Sequence, residues 1–487
     1  MKKTLESITQ ELSTHIKVRF SFDRANLGKL FSYYYPLLSV FIGFLLVAFS
    51  MGPYQNGDTT WEHDAMSGVL KYGLPYANGN LMDQPPLGFY IQAVFAKAFG
   101  LSINNGTFLV TLFGLGCIAL VYGIGKFAYG KTTGFISAAL LAFSPWHIVL
   151  SRSFLIDVPC LFFSLLSLLV GLIAVRKVSF RLFVVSGIVF AAAFNTKLYA
   201  IFILIPLLAF FFYNNPKNLK RNVTWLAAFS IPALLASFLW YQTITGQGMI
   251  SIFIHTDFIT PYPGTIVPTY FFVYNFLVNY GLGWFFIDAI IVSLIVVLVQ
   301  KSLFRKFFVF DLICLAAVIC VVSVNTILGA VLDLKAPFLN AFKYDYQALP
   351  FFCLLGASLT SKSVILFHSA KTKLKVKKIF YYTIALAGLI LVPASIFYNM
   401  HFVNLFSNVN YLIFRVQPGV NVGYSIFNSA PTNGNSLQTI IQFVGFALAS
   451  SGLFWITRHK LGEFRKLFTR KTKKNLNKIQ NSLDHNK

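Results

Sequence analysis

Acidic residues are scarce in this sequence: 15 Asp and Glu among 487 residues, against 40 Lys and Arg. Only 11% of the chain is charged and 56% is hydrophobic, with a mean hydropathy of +0.68. A soluble domain must cover its outside with polar groups, so a composition this poor in them excludes one. Cysteine is also sparse. The five cysteines all fall inside apolar stretches, and no CxxC pair occurs, which argues against a disulfide framework or a thiolate metal site and for small buried apolar side chains. There is no internal repeat, and no low-complexity tract beyond a basic tail. Residues 1–32 lack the short apolar core and cleavage site of a removable signal, so the first span is expected to act as its own insertion signal. A net charge of +25 suggests nucleic acid at first sight. The cations are spread over many short loops and one tail, so no nucleic-acid partner is expected. They suit anionic lipid headgroups instead.

What is present is a series of twelve apolar stretches, each a candidate span of about 20 residues: 34–52, 106–125, 132–150, 156–175, 182–194, 198–213, 222–241, 281–300, 307–329, 346–361, 379–399 and 437–457. The segments between them alternate in charge. The segments 1–33, 126–131, 176–181, 214–221, 301–306, 362–378 and 458–487 hold 33 of the 40 Lys and Arg. Positive residues stay on the cytoplasmic side, so one threading puts these seven segments and both termini inside. The remaining cations, among them Lys71, Lys97, Arg152, Lys197 and Lys343, then share the outer face with Asp58, Glu62, Asp64, Asp83, Asp157 and Asp345. The long outer segments are 53–105, 242–280 and 400–436. The first is expected to hold two helices. Residues 61–72 place Trp61, Ala65, Val69 and Tyr72 on one face suited to the membrane surface. A second helix is expected to start at Pro85-Pro86.

Four outer clusters carry chemistry. In residues 57–90, Asp58 can take a proton from an acceptor hydroxyl; it equally suits a helix start, with Glu62 in the first turn. Asp83, ahead of Pro85-Pro86, has the same two readings, and His63-Asp64 reads as solvated surface. In residues 144–159, Arg152 and Asp157 flank the start of the fourth span; Arg152 can bind phosphate bidentately, or it is an interfacial ion pair or a snorkelling arginine. In residues 195–206, Lys197 is either an anion ligand or a snorkelling anchor. In residues 342–352, Lys343 can neutralise a phosphate and Tyr344 can hydrogen-bond or stack on a sugar; the pair can also serve as an interface anchor. Placement of all four on one face, opposite the bulk of the positive charge, is the stronger signal.

These clusters, in this order, resemble the GT-C superfamily of membrane glycosyltransferases, particularly the protein O-mannosyltransferases and the aminoarabinose transferases that modify lipid A. The pieces that match are Asp58-Thr59, Asp83-Gln84-Pro85-Pro86-Leu87, Arg152…Leu155-Ile156-Asp157, Asn195-Thr196-Lys197 and Lys343-Tyr344…Leu349-Pro350. Thr59 stands where the family usually has a second acid, and Gln84 where it usually has a lysine, so a phosphate-side role would pass to Lys197, Arg152 or Lys343. The resemblance implies an all-α polytopic membrane protein. It implies a polyprenyl-phosphate-linked sugar donor, a protein, lipid or glycan acceptor, and inversion at the anomeric carbon. Asp58 would be the base; Lys197, Arg152, Lys343 and Tyr344 would hold the donor phosphate; Glu62, Asp83, Gln84 and Asp157 would support the acceptor or the loop. Some members use a divalent cation and others do not; the sequence shows no closed ligand set, and no metal or other cofactor is assigned.

The expected organisation is a cytoplasmic segment 1–33, a GT-C-like catalytic module 34–361, C-terminal spans within 362–457 and a basic cytoplasmic tail 458–487. A prokaryotic plasma membrane with an extracytoplasmic site is expected. Two other classes compete. A lipid or sugar-lipid flippase would place charges at mid-membrane, as Asp288 and Asp311 suggest. A scaffold recruiting partners through the tail would leave the outer carboxylates unexplained.

Overall fold

A computed structural model describes residues 24–50, 53, 57–82, 84–214, 219–240, 242, 305–331, 346–369 and a set of helical residues between 440 and 455. Asp83, Lys343, Tyr344, Asp345 and the expected spans 281–300 and 379–399 lie outside the described residues, as do outer segment 400–436 and nearly all of 242–280.

The described chain is helical nearly throughout. Helix α1 is Arg24–Ser50, and α2 (Gly57–Tyr72) and α3 (Leu87–Phe99) form the first outer segment. The bundle continues with α4 (Ile103–Tyr129), α5 (Lys131–Ala142), α6 (Pro145–Ser151), α7 (Asp157–Lys177) and α8 (Phe180–Phe194). Then come a 3-10 turn at Leu198–Ile203, α9 (Leu204–Asn214), α10 (Leu219–Phe238), α11 (Arg305–Val331) and, after a second 3-10 turn at Tyr346–Ala348, α12 (Leu349–Ser369). By length and composition, α4 and α7 could each cross a membrane unaided. The ends follow local chemistry. Ser102 opens α4 by accepting the Asn105 N–H at 3.1 Å, and Ser179 opens α8 by accepting the Leu182 N–H at 3.4 Å.

Three sequence expectations are corrected. The stretch 132–150 is two helices. Ser144 precedes Pro145, whose ring excludes the helical conformation from the residue before it, and Ser144 is extended, with ψ 123°. The stretch 198–213 starts as a 3-10 turn before relaxing to α9. The chain is also not purely helical. Tyr76–Ala77 pairs antiparallel with Asn80–Leu81, closed by Asn78-Gly79 with φ of 51° and 80°, the positive pair that a two-residue hairpin turn demands.

Packing separates a bundle from an outer lobe. In the bundle α7 packs on α8, α4 on α5, α8 on α10, and α12 on α5 and α11. Phe44, Val121, Phe135, Leu165, Phe183 and Leu207 lie in one continuous buried core. Val185 and Ile188 of α8 and Ile231, Leu234 and Leu235 of α10 are exposed, apolar surface suited to lipid. The outer lobe (α2, the hairpin and α3) has small cores of its own. Ala65, Ala77, Met82 and Phe89 close over Ile156, while Met66, Ala93 and Ala96 close over Phe154. The face read as membrane-seeking thus divides: Ala65 is buried and Val69 packs against both small cores, whereas Trp61 and Tyr72 stay exposed.

At the opposite end, the Lys362 ammonium is held by the Asp311 carboxylate, and the Tyr129 hydroxyl donates to the same carboxylate at 2.9 Å. Lys362 and Asp311 are 0% and 1% exposed. Next to Lys362 on α12, Ser361 is bonded to Thr133 of α5. Asp311 is therefore half of a buried ion pair, and Lys362 is spent inside the fold.

Candidate functional site

Asp58 lies in the first turn of α2, where the helix dipole favours a carboxylate, and it is half-buried. One turn on, Glu62 is buried, and its Oε2 accepts the Ile156 N–H at 2.8 Å. Ile156 immediately precedes α7, where backbone donors have no partner within the helix. Glu62 supplies one from another element, and so fastens the outer lobe to the start of α7.

The next residue, Asp157, opens α7 and carries the main electrostatic feature of the site. Its two carboxylate oxygens accept from Lys197 Nζ at 3.0 and 3.1 Å, and the two side chains are only 4% and 3% exposed. Lys197 lies three residues past the end of α8, where the chain turns extended (φ −160°, ψ 137°) before the 3-10 turn. The same corner binds α3. The Asn195 carbonyl accepts the Leu87 N–H at 2.9 Å, and Asn195 Oδ1 accepts the Ser237 hydroxyl of α10 at 3.1 Å. Gly88 permits the approach: a Cβ there would lie 2.6 Å from Ile156 Cγ2 and 3.2 Å from Thr196 Cγ2.

Arg152 sits between α6 and α7 and is 6% exposed. Its guanidinium lies 5.4 Å from the Phe49 ring centroid. Burial pushes the guanidinium down to about 10, so it remains a cation at neutral pH. Exposure sorts the outer cations. Lys71 and Lys97 are solvated on the lobe helices, whereas Arg152 and Lys197 are drawn into the protein. His63 and Asp64 stand 3.8 Å apart on the partly exposed side of α2.

The fourth cluster reaches the site through a residue that the sequence reading passed over. Tyr346 is fully buried, and its hydroxyl lies 2.6 Å from His147 Nδ1; His147 Nε2 lies 3.2 Å from the Gly114 carbonyl. A carbonyl only accepts, so Nε2 carries the proton and the tyrosine hydroxyl donates to Nδ1. The imidazole stacks between Phe44 and Tyr346. Next to Tyr346, Gln347 donates to Cys160 Sγ at 3.6 Å. The sequence signal was there: a histidine in an apolar helix must find partners when it is buried.

Three of the four clusters thus meet through direct bonds, Glu62 to Ile156, Leu87 to Asn195 and Asp157 to Lys197, and the fourth is anchored alongside. The Gln84 Oε1 and both amide atoms of the buried Gln92 have no hydrogen-bond partner among the described residues. No group of three or more His, Cys, Asp or Glu able to hold a metal is found among the described residues.

Residues 83–241 match the family model described as dolichyl-phosphate-mannose-protein mannosyltransferase. The matched segment begins in the Asp83-Gln84-Pro85-Pro86 turn and includes Arg152, Asp157 and Lys197. The computed fold is similar to the crystal structure of ArnT from Cupriavidus metallidurans in the apo state, with a TM-score of 0.51 and 16% identity over 78% of this chain and 76% of that one. The chain has the GT-C membrane fold. Among curated relatives, it is 27% identical over 189 residues to "Putative mannosyltransferase YkcB" of Bacillus subtilis (strain 168), and 28% identical over 143 residues to "Putative mannosyltransferase YycA" of the same organism. These matches span 38% and 29% of this chain but only 26% and 21% of the relatives' own lengths. The family match includes Arg152, Asp157 and Lys197 of the bonded site, while Asp58, Glu62 and Tyr346 lie outside it.

Proposed function

We propose that this chain moves a sugar from a polyprenyl-phosphate donor to an acceptor hydroxyl at the outer surface of a membrane, with inversion at the anomeric carbon. The observation that carries the reading is the meeting of Asp157 and Lys197, both inside the segment that matches the mannosyltransferase family, with Glu62 bonded to Ile156 beside them. Asp58, one turn before the fixed Glu62, takes the acceptor proton. The acceptor oxygen bonds to the anomeric carbon, the bond from that carbon to the phosphate oxygen breaks, and the phosphate leaves with the electron pair. Lys197 and Arg152, joined by Lys343 and Tyr344, stabilise the charge gathering on the departing phosphate, and they do so more strongly for being shielded from water. Gln84 and Gln92 offer amide groups suited to sugar hydroxyls. Asp83, adjacent in sequence to Gln84, is assigned to support of the acceptor or the loop.

In this reading twelve spans place both termini in the cytoplasm of a prokaryote, and the site faces outward. The acceptor is a protein, lipid or glycan. No step is routed through a metal ion, and the same assay run with a chelator tests for a divalent cation. The deciding experiment reconstitutes the full chain with a polyprenyl-phosphate-linked sugar and follows glycoside formation. Asp58→Ala is expected to abolish transfer with thermal stability unchanged. Full transfer by that variant removes Asp58 from the mechanism, and lipid movement without glycoside formation by the wild type would replace the whole reading with that of a flippase.

A further inference from the structure

The Asp157–Lys197 pair raises a problem of sign. A cation meant for a phosphate is already bound, through both oxygens, to a carboxylate of the same chain, and both groups are more than nine-tenths buried. A phosphate that binds Lys197 has to displace Asp157 or share the ammonium with it. Chemistry at the two ends of the reaction makes this useful. The donor is a phosphodiester with one negative charge. The product lipid phosphate is a monoester whose second ionisation lies near neutrality, so it carries about −1.5 to −2 at pH 7. A site made only of cations would therefore hold its product more tightly than its substrate, and turnover would stall at release.

We infer that Asp157 is a positioning residue that competes with the lipid phosphate for the Lys197 ammonium and returns to it as product leaves. The inference rests on the glycosyltransferase reading above. Three features favour it. The competitor is tethered, so its effective concentration does not fall with dilution. It stands in the first turn of α7, where the helix dipole favours a negative charge. The backbone on both sides is fastened, Ile156 to Glu62 and Asn195 to Leu87, so exchange needs only side-chain movement of Lys197.

The test is a binding measurement on the full chain in nanodiscs, with undecaprenyl phosphate as the monoester, its methyl phosphodiester as the donor mimic and undecaprenol as the uncharged control. In the wild type, the monoester is expected to bind no more than roughly tenfold tighter than the diester. In Asp157→Asn both lipids should bind more tightly, and the preference for the monoester should widen by roughly tenfold or more, the scale of one hydrogen bond to a charged group, because the carboxylate that opposes a dianion more than a monoanion is gone. The double variant Asp157→Asn/Lys197→Gln should lose the added preference. In transfer assays Asp157→Asn should show a lower donor KM, a lower kcat and stronger inhibition by undecaprenyl phosphate, a split that simple misfolding does not produce. A folded Asp157→Asn with unchanged or weaker monoester binding overturns the inference, as does a double variant that keeps the added preference. Should Asp157→Asn not fold, the wild-type comparison decides: a monoester preference well beyond tenfold refutes competition. A wild type that binds lipid phosphate in this pattern but transfers no sugar sinks the transferase reading alone, while one that transfers sugar with Asp157→Asn kinetically silent sinks this inference alone.

Discussion

At the scale of single residues, the informative distinction lies between charges that are solvated and charges that are spent. Sequence placed Arg152, Lys197, Asp157 and Glu62 on one face with Lys71 and Lys97, but it could not separate them, because burial is set by contacts far along the chain. The partner of Asp157 is 40 residues away and that of Glu62 is 94 residues away. Glu62 illustrates the point. By residue type it was a spare acid beside Asp58; in the fold it is a cap on Ile156. Glu62→Gln keeps the shape and loses the charge, so it should lower stability by about 1.5–3 kcal/mol if the hydrogen bond is lost outright and by less if the amide oxygen still accepts. Thermal denaturation of the two proteins side by side measures the difference. An unchanged melting temperature would show that the carboxylate charge contributes nothing there.

At the scale of elements, the apolar periods located most of the described helices to within a few residues, and Pro85-Pro86 marked the start of α3 correctly. Failures came where local chemistry interrupts an apolar run: at Ser144-Pro145, and at the 3-10 turn after Lys197. The hairpin at Asn78-Gly79 was legible from the dipeptide, though the sequence reading assigned no strand there. Element packing was not legible, because close approach depends on what faces a glycine. Gly88→Ala pushes a methyl group against Ile156 at the joint between α3 and the bundle. Overpacking of this kind costs about 1–3 kcal/mol. The expected result is a lower melting temperature together with a raised donor KM, since Ile156 adjoins Asp157. A loss of stability with KM unchanged would separate the joint from the site.

At the scale of the whole molecule, two buried ion pairs stand at opposite ends of the bundle, Asp157–Lys197 at one and Asp311–Lys362 at the other. The Asp311–Lys362 pair belongs to no proposed chemistry, so it should behave as structure alone. Lys362→Met, which strands Asp311, should destabilise by about 3–5 kcal/mol, while Asp311→Leu/Lys362→Met should recover most of that loss, because a well-packed apolar pair replaces a buried ionic one at little cost. Thermal denaturation of the single and double variants distinguishes the two, and a double variant no more stable than the single would show that the pair does more than fill space. The threading has its own check. Single cysteines placed at the exposed positions Lys71 and Val178 should be labelled by an impermeant thiol reagent from opposite sides of sealed vesicles, and labelling from one side would refute it. The joint at residues 87–88 has one more consequence. The lobe is bolted to the bundle at Leu87, Gly88 and Glu62, so it cannot swing open there like a door. On the transferase reading, a long-tailed lipid is then expected to arrive sideways, sliding in from the bilayer between helices while the roof above stays shut.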